Sequence, residues 1–249
     1  MKNKTTFPTY QDAQIAKYEE HSEHFDALNA NKNRTYGLKV KWVKEVVRSK
    51  GLEMGKLLEV GCGTGLFTQK LAEALPELNI VATDGFQTML NIAQQRLANY
   101  KNVQCNLYDI STPPPNNLFS INKLDIVCGV DIIHHIEDPV AAMATWRTLV
   151  KPNGILLFLE CNPANPAMYI RNYNHPEEKR LYLNNVKNLT TWATTAGWKN
   201  VVVKNLPIYL PSGPKKMWNC LTKTEELIHK IPLVNKMSGV FLVYGENKS

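Results

Sequence analysis

The chain has 249 residues, of which 44% are hydrophobic and 20% charged, with a formal net charge of +7 and 5 Cys. This apolar content excludes wholesale disorder, and the length allows one large domain or two small ones. No apolar run approaches the ~20 residues of a membrane-spanning helix, and the first residues lack the apolar stretch of a secretory signal, so we expect a cytoplasmic protein.

Helices are predicted first along the chain, and an alternation of strands and helices follows. The predicted N-terminal helices lie around Asp12–Leu28 and Tyr36–Lys50. Short apolar runs then predict strands at Lys56–Val60, Ile80–Thr83, Val103–Leu107, Leu124–Cys128 and Gly154–Glu160. The helical stretches among them are Leu66–Leu75, Thr88–Tyr100 and Pro139–Val150. This alternation predicts βαβ units and a parallel sheet with helices on both faces.

After residue 160 the alternation stops. An inserted loop with short helices, Asn162–Asn185, is followed by helix Leu189–Ala196, strand Trp198–Lys204, helix Pro214–Lys230 and strand Gly239–Tyr244. The last two strands predict an edge hairpin added to the parallel sheet. We therefore divide the chain into an N-terminal helical cover, residues 1–50, and a main domain, residues 51–249, with inserts at about 162–185 and 206–237.

A glycine-rich turn, Glu59-Val60-Gly61-Cys62-Gly63-Thr64-Gly65, ends the first predicted strand and opens a helix. A dinucleotide site needs G-x-G-x-x-G/A, whereas the spacing here is G-x-G-x-G with Leu66 at the third position of that pattern. Three glycines at alternate positions allow a ligand to lie flat across the turn. The alternative is that they serve tight packing of the protein alone.

Acidic residues follow the next two strands. Asp84 closes the second strand, where a carboxylate can accept both hydroxyls of a ribose, and Asp109 closes the third, where an acid can accept from an adenine amino group. Glu59 adds negative charge before the turn, which suits a cationic cofactor. The alternatives are helix capping for the two aspartates and a structural hydrogen bond for Glu59.

With these motifs, residues 55–160 resemble the class I S-adenosylmethionine-dependent methyltransferases. The turn at Lys151-Pro152-Asn153-Gly154 is similar to that family's LKPGG turn, with Asn153 in place of the first Gly. The resemblance implies a Rossmann-like, doubly wound α/β fold, a seven-stranded sheet with a reversed final strand, and S-adenosyl-L-methionine as cofactor. The cofactor-binding residues that it implies are Tyr18, Glu59, Gly61, Cys62, Gly63, Gly65, Asp84, Gly85, Phe86, Met89, Asp109, Ile110 and Val130.

Candidate catalytic residues follow the fourth strand, at the same edge of the sheet as the turn. Asp131, His134 and His135 share one short segment, and either histidine can act as a base for an O–H or N–H nucleophile. Packing or capping is the alternative for each. The segment also resembles the metal-associated E-x-x-E-H of ubiquinone-pathway O-methyltransferases, but its substitutions lead us to expect no metal. The scattered cysteines, without a CxxC pair, favour neither a zinc site nor a disulfide framework.

The acceptor is expected to lie under the two covering segments. Tyr10 and His21 in the first helix, and Tyr169, Arg171 and Tyr173 after the fifth strand, are the predicted substrate-binding residues. Ordinary surface positions are the alternative for each of them. The amphipathic helix Pro214–Lys230 packs beneath the sheet edge in the simpler interpretation; the alternative is a weak membrane-surface contact through residues 206–231.

We therefore expect a methyltransferase that uses S-adenosylmethionine on a small or lipid-like acceptor, with oxygen favoured over nitrogen or carbon. The pI of about 9.1 raises the alternative of a nucleic-acid methyltransferase. However, the chain has no Asn/Asp-Pro-Pro-Tyr/Phe tetrapeptide, no paired catalytic Cys and no RNA-binding module, so we expect no nucleic-acid partner. A cofactor-binding protein without turnover is the other alternative.

Overall fold

Seven strands form one mixed sheet in the computed structural model, which describes residues 33–110, 112, 114, 123–174, 176–210 and 215–248. The strands are β1 (Lys56–Val60), β2 (Asn79–Asp84), β3 (Val103–Leu107), β4 (Leu124–Val130), β5 (Val150–Cys161), β6 (Lys199–Leu206) and β7 (Val240–Glu246). Their order is β3-β2-β1-β4-β5-β7-β6. Strands β3, β2, β1, β4 and β5 are parallel, and β7 runs antiparallel to both β5 and β6. The predicted sheet with a reversed final strand is confirmed.

Seven α-helices are described. They are α1 (Asn33–Ser49), α2 (Leu66–Ala74), α3 (Gln87–Leu97), α4 (Pro139–Leu149), α5 (Pro166–Asn174), α6 (Val186–Thr195) and α7 (Trp218–Ile228). Short 3-10 helices occur at Ile133–His135, Pro176–Leu183, Lys215–Met217 and Asn235–Met237. No described helix is both long enough and apolar enough to cross a bilayer.

The helices cover both faces of the sheet because its strands are apolar on both sides. One core lies beneath α1, α2 and α3, and the other beneath α4 and α6. Helix α1 contributes Val43 and Val47, which are fully buried on one of its faces. This described part of the predicted N-terminal cover is therefore continuous with the core of the main domain; the predicted helix Asp12–Leu28 lies outside the described residues.

The C-terminal strands fill the sheet edge out of sequence order. Strand β7 lies between β5 and β6, so the last strand of the chain is an interior strand and β6 forms the edge. Strand β5 begins at Val150, four residues before the predicted Gly154, because the Lys-Pro-Asn-Gly turn is part of the strand. In that turn Asn153 has φ 67°, a left-handed conformation that Asn adopts more readily than most residues.

Candidate functional site

The glycine-rich turn is shaped by the protein's own packing as well as by its backbone. Gly61, Gly63 and Gly65 have φ values of 71°, 55° and 79°, which side-chain-bearing residues rarely adopt. A Cβ on Gly61 would lie 2.6 Å from Ile132 Cδ1, and one on Gly65 would lie 3.0 Å from Leu97 Cδ1. Tight packing, the alternative raised by the sequence, therefore contributes at these two glycines.

Asp84 fixes the turn through both of its carboxylate oxygens. Its Oδ2 accepts from the Gly63 N–H at 2.7 Å, and its Oδ1 accepts from the Phe86 N–H at 3.0 Å. Burial raises the pKa of Asp84, although these backbone N–H groups oppose the shift. The Gly85 N–H acts on this carboxylate as well, and since a carboxylate has about four acceptor positions, acceptor capacity stays available for a ligand hydroxyl. Beside it, the Cys62 N–H donates to the carbonyl of Thr83 at 2.8 Å and ties the turn to β2.

Glu59 places a buried carboxyl group behind the turn. It is only 1% exposed, and its Oε2 has no hydrogen-bond partner among the described residues. Burial raises the pKa of Glu59 to about 7; the hydroxyl of Thr68 lowers it in part, and the charge of Asp84 adds to the rise. A buried oxygen of this kind gains most from a cationic or hydrogen-bond-donating ligand.

The remaining predicted cofactor residues lie around the ends of β2, β3 and β4. Asp109 is exposed, and the Cα of this residue would lie 3.6 Å from a Cβ placed on Gly85, so the ends of β2 and β3 are in close contact. Met89 is buried within α3, whereas Phe86, Ile110 and Val130 are half-buried. Tyr18 lies outside the described residues.

Asp131 is held by a buried lysine that the sequence reasoning missed. Its Oδ2 lies 2.7 Å from Lys39 Nζ, and its Oδ1 accepts from the Cys161 thiol at 3.0 Å. Burial is the largest single influence and lowers the pKa of Lys39, but the Asp131 carboxylate, together with Cys161 and Glu160, raises that pKa above its ordinary value. Asp131 also has φ 54°, which short polar residues tolerate. The strand β4 terminus is therefore fixed to α1 by an ion pair.

His134 lies between two glutamates. Its Nδ1 is 3.3 Å from Glu160 Oε2, and its Nε2 is 3.5 Å from Glu178 Oε2. Burial opposes a charged ring, but the bonds to Glu160 and Glu178 outweigh burial and raise the pKa of His134 to about 9. At neutral pH the ring is therefore an imidazolium with no proton-accepting nitrogen, which favours the packing alternative over the role of base.

Glu160 joins the histidine segment to the insert that follows β5. It is fully buried; its Oε1 accepts from the N–H groups of Ile132 and Ile133 at 2.9 and 3.0 Å, and its Oε2 accepts from Asn184 Nδ2 at 2.9 Å. Arg180 adds hydrogen bonds to the carbonyls of Ile136 and Glu137 at 2.8 and 2.9 Å. The insert therefore covers the predicted catalytic segment.

Three ligand-capable side chains meet in this cluster. One atom each from His134, His135 and Glu178 lies within 4.8 Å of the other two. Neutral imidazole and carboxylate groups can hold a divalent cation, so a metal at this cluster would require His134 to lose its proton. Asp131, which begins the motif that resembles the metal-associated one, is instead paired with an ammonium group, so its charge is already balanced.

The predicted substrate-binding residues are only partly described. Tyr169 is 57% exposed on α5, and its ring makes an edge contact with Tyr182 at a centroid distance of 6.1 Å. Arg171 and Tyr173 lie on the same helix, without a description of their side chains. Tyr10 and His21 lie outside the described residues.

Two asparagines fix this insert to the strand connections. Asn162 donates to the carbonyls of Lys236 and Ser238 at 2.9 and 2.7 Å, and Asn165 donates to that of Met237 at 2.9 Å. Asn165 Oδ1 also accepts from the N–H groups at the start of α5. The sequence Asn-Pro-Ala-Asn-Pro therefore joins β5 to the chain that enters β7.

Comparison with known proteins agrees with this geometry. Residues 58–156 match a family model described as a methyltransferase domain. The chain is 27% identical over 139 residues to a malonyl-[acyl-carrier protein] O-methyltransferase of Halalkalibacterium halodurans, covering 56% of this chain and 51% of that protein. It is 31% identical over 134 residues to a ubiquinone biosynthesis O-methyltransferase of Azotobacter vinelandii, and the match covers 53% of this chain and 54% of that protein. The matched region thus spans about half the length of these relatives.

A solved structure shares the fold over nearly the whole chain. It is a S-adenosylmethionine-dependent methyltransferase of Thermotoga maritima, described as a possible histamine N-methyltransferase, with a TM-score of 0.64, 17% identity and coverage of 93% of this chain and 98% of that one. The seven-stranded sheet with its reversed β7 is therefore a known architecture. Residues 58–156 therefore match a methyltransferase domain, and the sheet that contains them has the class I fold of S-adenosylmethionine-dependent methyltransferases.

Proposed function

We propose that this domain transfers a methyl group from S-adenosylmethionine to an oxygen atom of a small or lipid-like acceptor. Two of its relatives are O-methyltransferases by name, whereas the structural neighbour described above is a possible N-methyltransferase. The fold therefore does not select the atom. We choose oxygen because the two relatives found by sequence comparison are O-methyltransferases by name. We choose a small or lipid-like acceptor because the insert after β5 covers the histidine segment.

One observation carries the cofactor assignment. The buried Glu59 Oε2 lacks a partner among the described residues and lies directly behind a turn whose glycines have positive φ, and this arrangement fits a flat, cationic ligand. Glu59, Asp84 and the turn amides would hold the ligand, and Asp109 would lie at its adenine edge. S-adenosylmethionine, when bound, supplies an electrophilic methyl group on a positively charged sulfur.

On the acceptor side, the two histidines divide their roles. His134 keeps its proton between Glu160 and Glu178, so it orients the segment and does not remove a proton. His135 is half-buried beside it, with a ring-centroid distance of 3.9 Å, and is the base in this proposal. A hydroxyl nucleophile needs such a base because its proton must leave as the C–O bond forms.

The test uses isotopically labelled S-adenosylmethionine with phenol, carboxylate and amine acceptors, and mass spectrometry of the product. We expect methyl transfer to oxygen. His135→Gln should lower kcat by about 10²–10⁴ with unchanged cofactor affinity. His134→Gln is the matched control and should act mainly on stability.

Transfer to nitrogen or carbon would overturn the choice of oxygen. Equal kcat values for wild type and His135→Gln would remove His135 from the role of base. Cofactor binding by calorimetry without turnover on any acceptor would favour a binding protein over an enzyme.

A further inference from the structure

Residues 215–237, which connect β6 to β7, form a surface with little buried apolar area. Glu225 is the single buried residue among them. Exposed apolar side chains stand out along the segment, at Met217 (45%), Leu227 (65%), Ile231 (50%), Leu233 (76%) and Met237 (42%). Trp218, Leu221 and Ile228 are half-buried, so the segment packs only part of its apolar side chains against the domain.

The segment is held to the domain by polar contacts on its inner face. Glu225 forms an ion pair with Arg34 of α1 and accepts from the N–H groups of Tyr209 and Leu210 at 2.8 and 2.9 Å. Thr222, one turn earlier, accepts from Arg34 at 3.0 Å. These polar contacts fix the inner face, and the exposed apolar side chains lie on the outside.

The same segment carries a strong positive charge. Its exposed lysines are Lys215, Lys216, Lys223, Lys230 and Lys236. Its acids are neutralised locally, since Glu225 is paired with Arg34, and Glu226 lies 3.4 Å from Lys41. Cys220, Lys223 and Leu227 have helical spacing on the outer face, so a lysine and a leucine lie side by side there. We call residues 215–237 the lysine–apolar surface.

We propose that the lysine–apolar surface docks on an anionic lipid bilayer. Apolar side chains of an interfacial helix enter the boundary between headgroups and acyl chains, and lysines bind the lipid phosphates. A second copy of the chain is a poorer occupant, because a two-fold interface would bring the lysines of both copies together. An amphiphilic acceptor drawn from the bilayer would reach the site without crossing water, a consequence that rests on the proposed function; the docking itself does not.

The test is co-sedimentation of the whole protein with vesicles, in about 0.1 M salt. We expect binding to phosphatidylglycerol–phosphatidylcholine vesicles and little binding to pure phosphatidylcholine. Lys223→Gln/Lys230→Gln should weaken the partition coefficient by roughly tenfold or more, since each surface lysine contributes about fivefold. Leu227→Ser/Ile231→Ser/Leu233→Ser should weaken binding more than the lysine double variant does, because Met217 and Met237 are then the exposed apolar side chains that remain on this surface.

Matched controls separate this surface from general charge and hydrophobicity. Lys101→Gln/Lys187→Gln removes two exposed lysines elsewhere, and Met54→Ser removes a methionine that is 80% exposed; both should bind as wild type does. Absence of wild-type binding, equal binding to both vesicle types, or equal loss in the controls would overturn the proposal. So would a dimer in light scattering that Leu227→Ser converts to monomer. Methyl transfer to a water-soluble acceptor tests the proposed function separately.

Discussion

The two halves of the sheet's carboxyl edge are built in different ways. Around β1 and β2, hydrogen bonds from backbone N–H groups shape the site: the Asp84 carboxylate accepts from the Gly63 and Phe86 N–H groups. Around β4 and β5, charged side chains from distant elements shape it, as in the Lys39–Asp131 pair, whose members are 92 positions apart. The first half is local in sequence, and the second depends on the finished fold.

This difference has an energetic consequence. Backbone N–H groups at a turn are neutral dipoles, and loss of one hydrogen bond costs about 1 kcal/mol. A buried ion pair has already lost its hydration, so removal of one member leaves an uncompensated charge and costs about 3–5 kcal/mol. We therefore expect the β4–β5 half to be the more sensitive to single substitutions.

The largest expected effect is that of Lys39→Met. The lysine is buried, and its loss removes the ammonium group that lies 2.7 Å from the Asp131 carboxylate. We expect the free energy of unfolding to fall by about 3–5 kcal/mol in urea denaturation.

The double variant Lys39→Met/Asp131→Asn is the control for this pair. Asn tolerates the φ of 54° at residue 131 and carries no charge, so most of the lost stability should return. If the double variant is as unstable as Lys39→Met, the loss comes from packing around the lysine stem and not from the ion pair.

The next effect concerns His134 and depends on pH. Its folded pKa of about 9 lies above the ordinary 6.5, so its contribution to stability is full below pH 6.5 and is lost as pH rises through about 9. A shift of this size corresponds to about 3 kcal/mol. The stability difference between wild type and His134→Gln should therefore shrink by about that amount between pH 6 and pH 10.

The measurement is urea denaturation of both proteins at several pH values. His135→Gln is measured in parallel as the neighbouring control, so that a change caused by loss of any ring in this segment can be recognised. A constant difference between wild type and His134→Gln over this range would mean that the ring is neutral in the folded protein and free to act as a base.

The same contrast explains what the sequence could predict. The glycine turn and Asp84 follow from spacing, because consecutive strands and their turns bring them together. Lys39 and Glu178 meet their partners, Asp131 and His134, only through tertiary packing, and the spacing of residues along the sequence does not predict these contacts. Two signals were nevertheless available: Lys39 lies four positions before Val43 on the buried face of α1, and Glu160 ends a predicted strand just as Asp84 does.

The fold was predictable for a similar reason, and the outer helix was not. Apolar strands alternating with helices require a parallel sheet covered on both faces, and that sheet is present. The amphipathic pattern of Pro214–Lys230 predicted burial of an apolar face. In the structure the most buried position of this helix is Glu225, whose charge is satisfied by Arg34 and two backbone N–H groups, and the apolar residues on the same face are only half-buried.

On the β1–β2 half, Asp84→Asn should weaken cofactor binding by roughly 1–3 kcal/mol, or about 5–150-fold in Kd. The amide keeps one oxygen acceptor but cannot accept from both N–H groups and the ligand hydroxyls. Calorimetry with S-adenosylmethionine measures this change. Asp109→Asn is the matched control and should have the smaller effect because Asp109 is exposed; the reverse order would place the ribose at β3.

The smallest expected effect tests the charge behind the turn. Because the pKa of Glu59 is about 7, roughly a tenth of this carboxyl group is ionised at pH 6 and roughly nine tenths at pH 8. A cationic ligand binds the ionised form, so the affinity for S-adenosylmethionine should rise by about tenfold over this interval. Glu59→Gln, which cannot ionise, should remove that rise and leave only the titration of the ligand itself.

A second ligand shows which charge of the cofactor Glu59 binds. S-adenosylhomocysteine keeps the amino group of S-adenosylmethionine but lacks its sulfonium charge. An equal rise in affinity for both compounds means that Glu59 stabilises the amino group, and a rise for S-adenosylmethionine alone means that Glu59 stabilises the sulfonium. The same profile for wild type and Glu59→Gln would make Glu59 a structural residue of the turn.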